Sequence, residues 1–237
     1  DWARSRGLGD VYKRQTSGSL NKEWLNSLAE DVKYLRENDK EVIIVSSGAI
    51  AMGAKDLDLD MKNMKMDMNQ AVSAVGQIHL MGSFKSAFEK NEIKISQILL
   101  TLDDTEQRRR SINARRTIDT LLKLGIVPVV NENDTIATSE IRYGDNDRLA
   151  SRVAQITSAD CLILLSNING LYSADPSTDE DVKLINKVSE IDKDIEKMIG
   201  QSISDYGKGG MKTKIQAAKT AMLSGCHLAI TNGSITV

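Results

Sequence analysis

An α/β fold, built on a parallel sheet covered by helices on both faces, is predicted by three features of the sequence. Short and almost wholly apolar runs, such as Val42–Val45 and Leu162–Leu165, are too brief for helices and too continuous for strands with one wet face. These runs alternate with longer segments of helical period. Polar clusters, several of them containing glycine, follow several of the runs directly, where loops would leave the carboxyl edge of such a sheet.

Taken in order, the first fifteen residues, Asp1 to Gln15, mix Gly, Arg and Asp with neither helical nor strand period, and no initiator Met precedes them. They read as a non-native scar joined to an incomplete reading frame and are set apart from the fold. Trp24, Leu28, Val32 and Leu35 recur at helical spacing, which predicts an amphipathic helix over residues 21–38. Val42–Val45 is a buried strand ending in the tight Ser46-Ser47-Gly48. The Met-rich stretch 61–68 reads as a surface loop with a few methionines tucked inward. A long helix is expected over 67–89, with Val72, Val75, Ile78 and Phe84 inward, then a strand over 93–100. Residues 105–124 return to helix and stop at the C-terminal cap Gly125. Ile126–Val130 is a strand whose Pro128 suggests a place near an edge or a bulge. Asp147–Ile156 is helical, Leu162–Leu165 a strand, and Asn167–Pro176 a loop. Helices over 190–199 and 211–223 and a strand from Leu228 to Ile230 complete the reading. Residues 16–237 are expected to form one domain, clipped at both ends, without a further C-terminal RNA-binding-like (PUA-type) module.

Composition narrows the function. The chain of 237 residues can bury a full core, and 31 basic against 33 acidic residues leave a net charge of −2. That balance argues against a partner held by bulk charge, whether nucleic acid or an anionic membrane. No apolar run reaches the roughly 20 residues a spanning helix needs. No secretory signal is visible, and the cytoplasm is the expected compartment. Cys161 and Cys226 sit among apolar neighbours and read as core residues of a reducing compartment. The cluster Arg108-Arg109-Arg110 with Arg115-Arg116 is flanked by acids and lacks stacking aromatics, so it reads as a solvated helix face or a subunit contact. His79 and His227 have no Ser, Cys or second His at useful spacing and read as structural or surface residues.

Four segments could carry chemistry. Ser46-Ser47-Gly48-Ala49 offers small residues, hydroxyls and backbone N–H groups to an anion, or simply turns a strand into a helix. Asn131-Glu132-Asn133-Asp134 places four amide and carboxylate side chains at a strand end, suited to an ammonium group and other polar parts of a substrate. Gly144-Asp145-Asn146-Asp147 opens a helix with more acid and amide groups than one N-cap requires, and could organise a lysine or a metal. Lys208-Gly209-Gly210-Met211-Lys212-Thr213-Lys214 runs a flexible turn into a helix and could cradle phosphate. It is not a Walker A loop, and no dinucleotide fingerprint occurs.

In this order the segments resemble the amino-acid kinase family, over essentially everything from about residue 16. The motifs are SSGAIAMG, AVGQ, ILLT, NAR, PVVNENDTIATSEIRYGDND, LYSADP and GKGGMKTK, of which NEND followed by GDND is the most specific. The resemblance implies a three-layer αβα sandwich with a mainly parallel sheet that transfers the γ-phosphoryl of ATP, with Mg²⁺, to the γ-carboxylate of L-glutamate for proline synthesis. By motif match, Ser47, Asp134 and Asn146 would bind glutamate. Lys214 would neutralise charge on the migrating phosphoryl, and Asp147 would position the active-site lysines. Ser166 and Asn167, with Lys208, Gly209, Gly210, Met211, Lys212, Thr213 and Lys214, would surround the nucleotide. Ser166-Asn167 stands where the family pattern has Thr-Asp. The family's opening strand ending Lys-x-Gly is replaced by the scar-like segment, and Lys13 is not given its role. The resemblance also implies homo-oligomers and feedback inhibition by proline.

The residues suit this chemistry. A γ-carboxylate, with a reference pKa near 4.3, is already ionised at neutral pH, so no general base is required. Two alternatives stay open: a related kinase for another carboxylate such as N-acetylglutamate, and a catalytically impaired amino-acid-binding domain.

Overall fold

The computed structural model describes residues 2–6 (backbone only), 21–62, 64–138, 145–173, 182–193, 195 and 211–233. Its main elements are β1 (Trp2–Arg6), α1 (Lys22–Glu37), β2 (Val42–Val45), α2 (Ala49–Asp56), α3 (Met66–Glu89) and β3 (Ile95–Leu100). Next come α4 (Leu102–Glu106), α5 (Arg108–Lys123), β4 (Val127–Glu132), α6 (Asn146–Thr157) and β5 (Cys161–Ser166). The short ribbon of β6 (Leu171–Tyr172) and β7 (Leu184–Ile185), helix α7 (Met211–Leu223) and β8 (His227–Asn232) follow.

Six strands form one sheet in the order β3-β4-β2-β1-β5-β8, and every neighbouring pair is parallel. All four residues of β2 are buried, because alternate side chains enter two separate cores. Val42 and Ile44 join Leu25, Leu28 and Val32 of α1 and Leu80, Phe84 and Phe88 of α3 on one face. Ile43 and Val45 join Ile118 of α5, Leu149 and Val153 of α6 and Ala217 and Ala221 of α7 on the other. The predicted three-layer αβα sandwich is therefore the observed one. No helix among the described residues is long and apolar enough to cross a membrane.

Local signals explain most boundaries. The Asn21 side chain accepts from the backbone N–H groups of Glu23 and Trp24 and starts α1. Gly125, at φ +71°, ends α5: its N–H donates to the Leu122 carbonyl and the next N–H, of Ile126, to Leu121, a Schellman closure. Cys161 and Cys226 are both buried. Burial, helped by Cys161 and Asp160 nearby, pushes the Cys226 thiol up to about 11, so it stays protonated as a core residue.

Four expectations need correction. The backbone of Trp2–Arg6, within the segment set apart from the fold, pairs with both β2 and β5 in the middle of the sheet. Pro128, expected near an edge, lies on β4, one strand in from the edge strand β3. The β4 N–H groups of Val127 and, past its end, Asn133 donate to carbonyls of the β3 side, and the ladder with β2 begins only at Val129, one residue beyond the proline. The missing donor therefore interrupts neither ladder. The helix expected over 105–124 is two helices broken at Gln107, whose backbone is extended. Ile78 is 74% exposed, because the buried stripe of α3 runs through Ser73, Gly76, Gln77, Leu80 and Phe84. Met61, Met66 and Met68 are exposed, and the last two already belong to α3. The helix expected over 190–199 falls mostly outside the described residues.

The break before α5 has its own lock. Thr101 and Asp104 form a reciprocal capping box, and Arg110 of α5 reaches back to Asp104 at 3.1 Å. Burial would raise the Asp104 pKa, but the Thr101 backbone and hydroxyl and the Arg110 guanidinium outweigh it and hold the carboxyl below 3.8. A depressed pKa means the stabilisation is present above the unfolded-state value and lost as pH falls through the folded one. Asp104→Ala should therefore cost about 1 kcal/mol at neutral pH in denaturant titrations, and the difference should vanish in strong acid.

Candidate active site

The sequence motifs meet at the carboxyl edge of the sheet. Strands β4, β2, β1 and β5 are consecutive there, so their carboxyl ends border one crevice. Three helices also begin at this edge and direct their N-terminal N–H groups and positive dipole ends toward it. α2 starts directly after β2, with Gly48 at φ +104° making the turn. α6 starts at Asn146, whose side-chain amide donates to the Ser46 carbonyl at 3.0 Å and so fastens α6 to the end of β2. α7 starts at Met211 and carries Lys214 in its first turn.

Lys214 and Asp147 are in direct contact. The ammonium donates to Asp147 Oδ2 at 2.7 Å, with the side chains only 5% and 3% exposed. This pair links α7 to α6 across the crevice floor. Asp147 is itself oriented by its helix start, because its backbone N–H donates to Asp145 Oδ1 at 2.8 Å. The second oxygen of Asp145 is buried without a hydrogen-bond partner among the described residues.

The β4 end adds further polar groups at the same edge. Asn131 and Glu132 are buried; Asn131 Oδ1 accepts from the Glu132 N–H, and its Nδ2 is buried without a partner among the described residues. Asp134 Oδ2 accepts from the Ser73 hydroxyl of α3 at 3.2 Å. The loop that follows is held by the same helix, since Gln70 Nε2 donates to the Ala137 carbonyl at 3.1 Å. Ser46 N–H donates to the Val130 carbonyl at 2.8 Å, which fixes the half-buried Ser47 beside the end of β4.

Of the expected nucleotide residues, Ser166 is buried at the end of β5 and its hydroxyl donates to exposed Asn167 at 3.3 Å. Met211 and Thr213 are half-buried and Lys212 is exposed. Lys208, Gly209, Gly210 and Gly144 lie outside the described residues. The residues missed by sequence reasoning are Ser73 and Gln70, which hold the Asp134 loop. Ser73 stands in the AVSAVGQ stretch, and a polar residue on the buried stripe of a helix was the available signal.

A profile described as "Amino acid kinase family" matches residues 12–232. A protein of Pelagibacter ubique named glutamate 5-kinase is 60% identical over 216 residues, 91% of this chain and 59% of that protein. One of the same name from Ruegeria sp. is 51% identical over 221 residues, 93% of this chain and 60% of the relative. The chain thus spans about 60% of the length of the curated relatives it matches. Among solved structures, a Giardia carbamate kinase superposes with a TM-score of 0.67 at 14% identity, covering 99% of this chain and 93% of the other. The product complex of T. acidophilum isopentenyl phosphate kinase gives 0.65 at 14% identity, covering 98% and 91%. The fold, the order of motifs along it and the match over nearly the whole chain agree, and the chain belongs to the amino acid kinase family.

Proposed function

We propose that this chain carries the ATP-dependent phosphorylation of the γ-carboxylate of L-glutamate, giving L-glutamyl 5-phosphate, the first step of proline biosynthesis. The observation that carries the reading is the buried Lys214–Asp147 pair, set at the same sheet edge as Asp134 and Asn146. Similarity to proteins named glutamate 5-kinase supports the choice of acceptor.

The chemistry follows from charge. A γ-carboxylate oxygen forms a bond to the γ-phosphorus, the bond to the β-bridging oxygen breaks, and ADP leaves with that electron pair. The nucleophile is already ionised, so the obstacle is the approach of an anion to a polyanion. Lys214 supplies positive charge to the transferring group, and Asp147 positions the ammonium without taking a proton. Asp134 offers a carboxylate to the α-ammonium of glutamate, while Ser47, Asn146 and the N-terminus of α2 suit its carboxylates. Ser166, Asn167 and the segment Lys208–Lys214 would hold ATP.

Mg²⁺ fits this donor set in a limited way. No group of three or more His, Cys, Asp or Glu side chains able to hold a metal occurs among the described residues, so the ion would take most of its ligands from the phosphates. Asp145 Oδ2, buried and without a partner among the described residues, is a hard oxygen suited to contribute one. When bound, the ion offsets phosphate charge.

ADP release with a panel of acids tests the reading. L-Glutamate should be turned over, and N-acetyl-L-glutamate poorly, since acetylation removes the cation that Asp134 would grip. Preference for N-acetylglutamate would overturn it in favour of a related kinase. Calorimetric binding of glutamate without ADP release would overturn it in favour of an amino-acid-binding domain.

A further inference from the structure

Helix α3 contacts both the Asp134 loop and α2, the two segments proposed to hold the acceptor, although none of its residues belongs to the motifs assigned to substrate. At Ser73, fully buried, its hydroxyl donates to Asp134 Oδ2 at 3.2 Å. One turn later, at Gly76, its backbone meets that of α2, the helix that begins at the Ser46-Ser47-Gly48 turn. A Cβ at Gly76 would lie 1.7 Å from the Ala49 carbonyl oxygen, and one at Gly53 would lie 1.9 Å from the Val72 carbonyl oxygen. These contacts are backbone to backbone, so no side-chain rearrangement could relieve them. Gln70, one turn before Ser73, holds the Ala137 carbonyl at 3.1 Å.

We propose that α3 is a ruler for the acceptor: Ser73 sets the position of Asp134, and the Gly53–Gly76 contact sets that of α2 and Ser47, so one rigid helix fixes the span between the groups gripping the acceptor's two ends. Ser73 and Gly76 are positioning residues and touch no substrate. The proposal rests on the glutamate reading for the identity of the acceptor, but not for the mechanical link. A methyl at Gly76 must open the α2–α3 contact from 1.7 Å to at least 3.0 Å, a shift of 1.3 Å. A misplacement of about 1 Å is enough to cost up to roughly a hundredfold in a pre-organised site. Because the shift separates the two ends, it alters which acceptor length fits, and not only how well any acceptor binds.

Two variants test this. Ser73→Ala should raise the glutamate KM about tenfold, the worth of one hydrogen bond to a charged group, while the ATP KM stays within about twofold and kcat falls less than KM rises. Gly76→Ala should lower the preference for glutamate over 2-aminoadipate, one methylene longer, by at least about fivefold. A folded Ser73→Ala with unchanged glutamate KM, or with ATP KM raised equally, overturns the hold on Asp134. A folded Gly76→Ala with the wild-type ranking of aspartate, glutamate and 2-aminoadipate overturns the ruler. Should Gly76→Ala fail to fold, amide exchange in Ser73→Ala decides: faster exchange confined to residues 133–138 supports the link, and an unchanged pattern sinks it. Absence of glutamate turnover in the unmodified protein would count against the proposed function alone, because the exchange measurement needs no substrate.

Discussion

Lys214→Ala should lower kcat by two to three orders of magnitude. Removing one well-placed donor from a charge-stabilising site raises the barrier by about 3–4 kcal/mol, and Lys214 is the described cation at the floor of this crevice. The substitution also leaves Asp147, 3% exposed, without its ammonium partner, which typically costs about 3–5 kcal/mol of stability. Activity must therefore be expressed per folded molecule, with the folded fraction taken from circular dichroism at the assay temperature. Pairing Lys214→Met with Asp147→Leu separates the two effects: stability should recover in part, because two similar apolar groups replace a buried ion pair, and activity should not. A kcat within threefold of the unmodified protein in folded Lys214→Ala would remove Lys214 from the chemistry.

Asp134→Ala should act on a different constant. Under the proposed function its carboxylate meets the α-ammonium of glutamate, and losing one partner of a charge pair costs several kcal/mol. The expected result is a glutamate KM raised roughly a hundredfold, equivalent to about 2.7 kcal/mol, with a much smaller change in kcat and in the ATP KM. Comparable kcat losses in the Lys214 and Asp134 variants, with the glutamate KM unchanged in the second, would refute the division of labour between them.

Much of the architecture was legible because it is written in apolar period. Val42–Val45 reads as a strand from both sides at once, and both of its faces are in fact buried. The span of α7 was legible from the glycine turn before it and the regular apolar positions after it. The meeting of Lys214 with Asp147 was legible only through the order of motifs; no period along the chain brings residues 67 positions apart together. Where the reading failed, the physics lies outside side-chain pattern. β1 pairs through its backbone, and a ladder needs no apolar residue to form. Ile78 is apolar at helical spacing and so reads as inward, whereas the buried stripe of α3 includes, beside Leu80 and Phe84, the polar or small Ser73, Gly76 and Gln77, which serve close approach and hydrogen bonding. The same blindness hid Ser73 from the list of site residues. Pro128 was legible as a mark of nearness to an edge: β4 lies one strand in, and its ladder with β2 starts one residue past the proline.

The depth of the Lys214–Asp147 pair has a consequence for how the protein should respond to ionic strength. Surface pairs such as Lys85–Glu89, with side chains 68% and 63% exposed, are weakened as mobile ions crowd around them. Ions cannot reach a contact whose partners are 5% and 3% exposed, so added salt leaves the lysine in place. Under the proposed function, salt should instead slow the arrival of polyanionic ATP, because the exposed Lys212 stands at the start of α7, where the nucleotide would dock. The encounter is thereby open to the medium while the internal alignment is shielded from it.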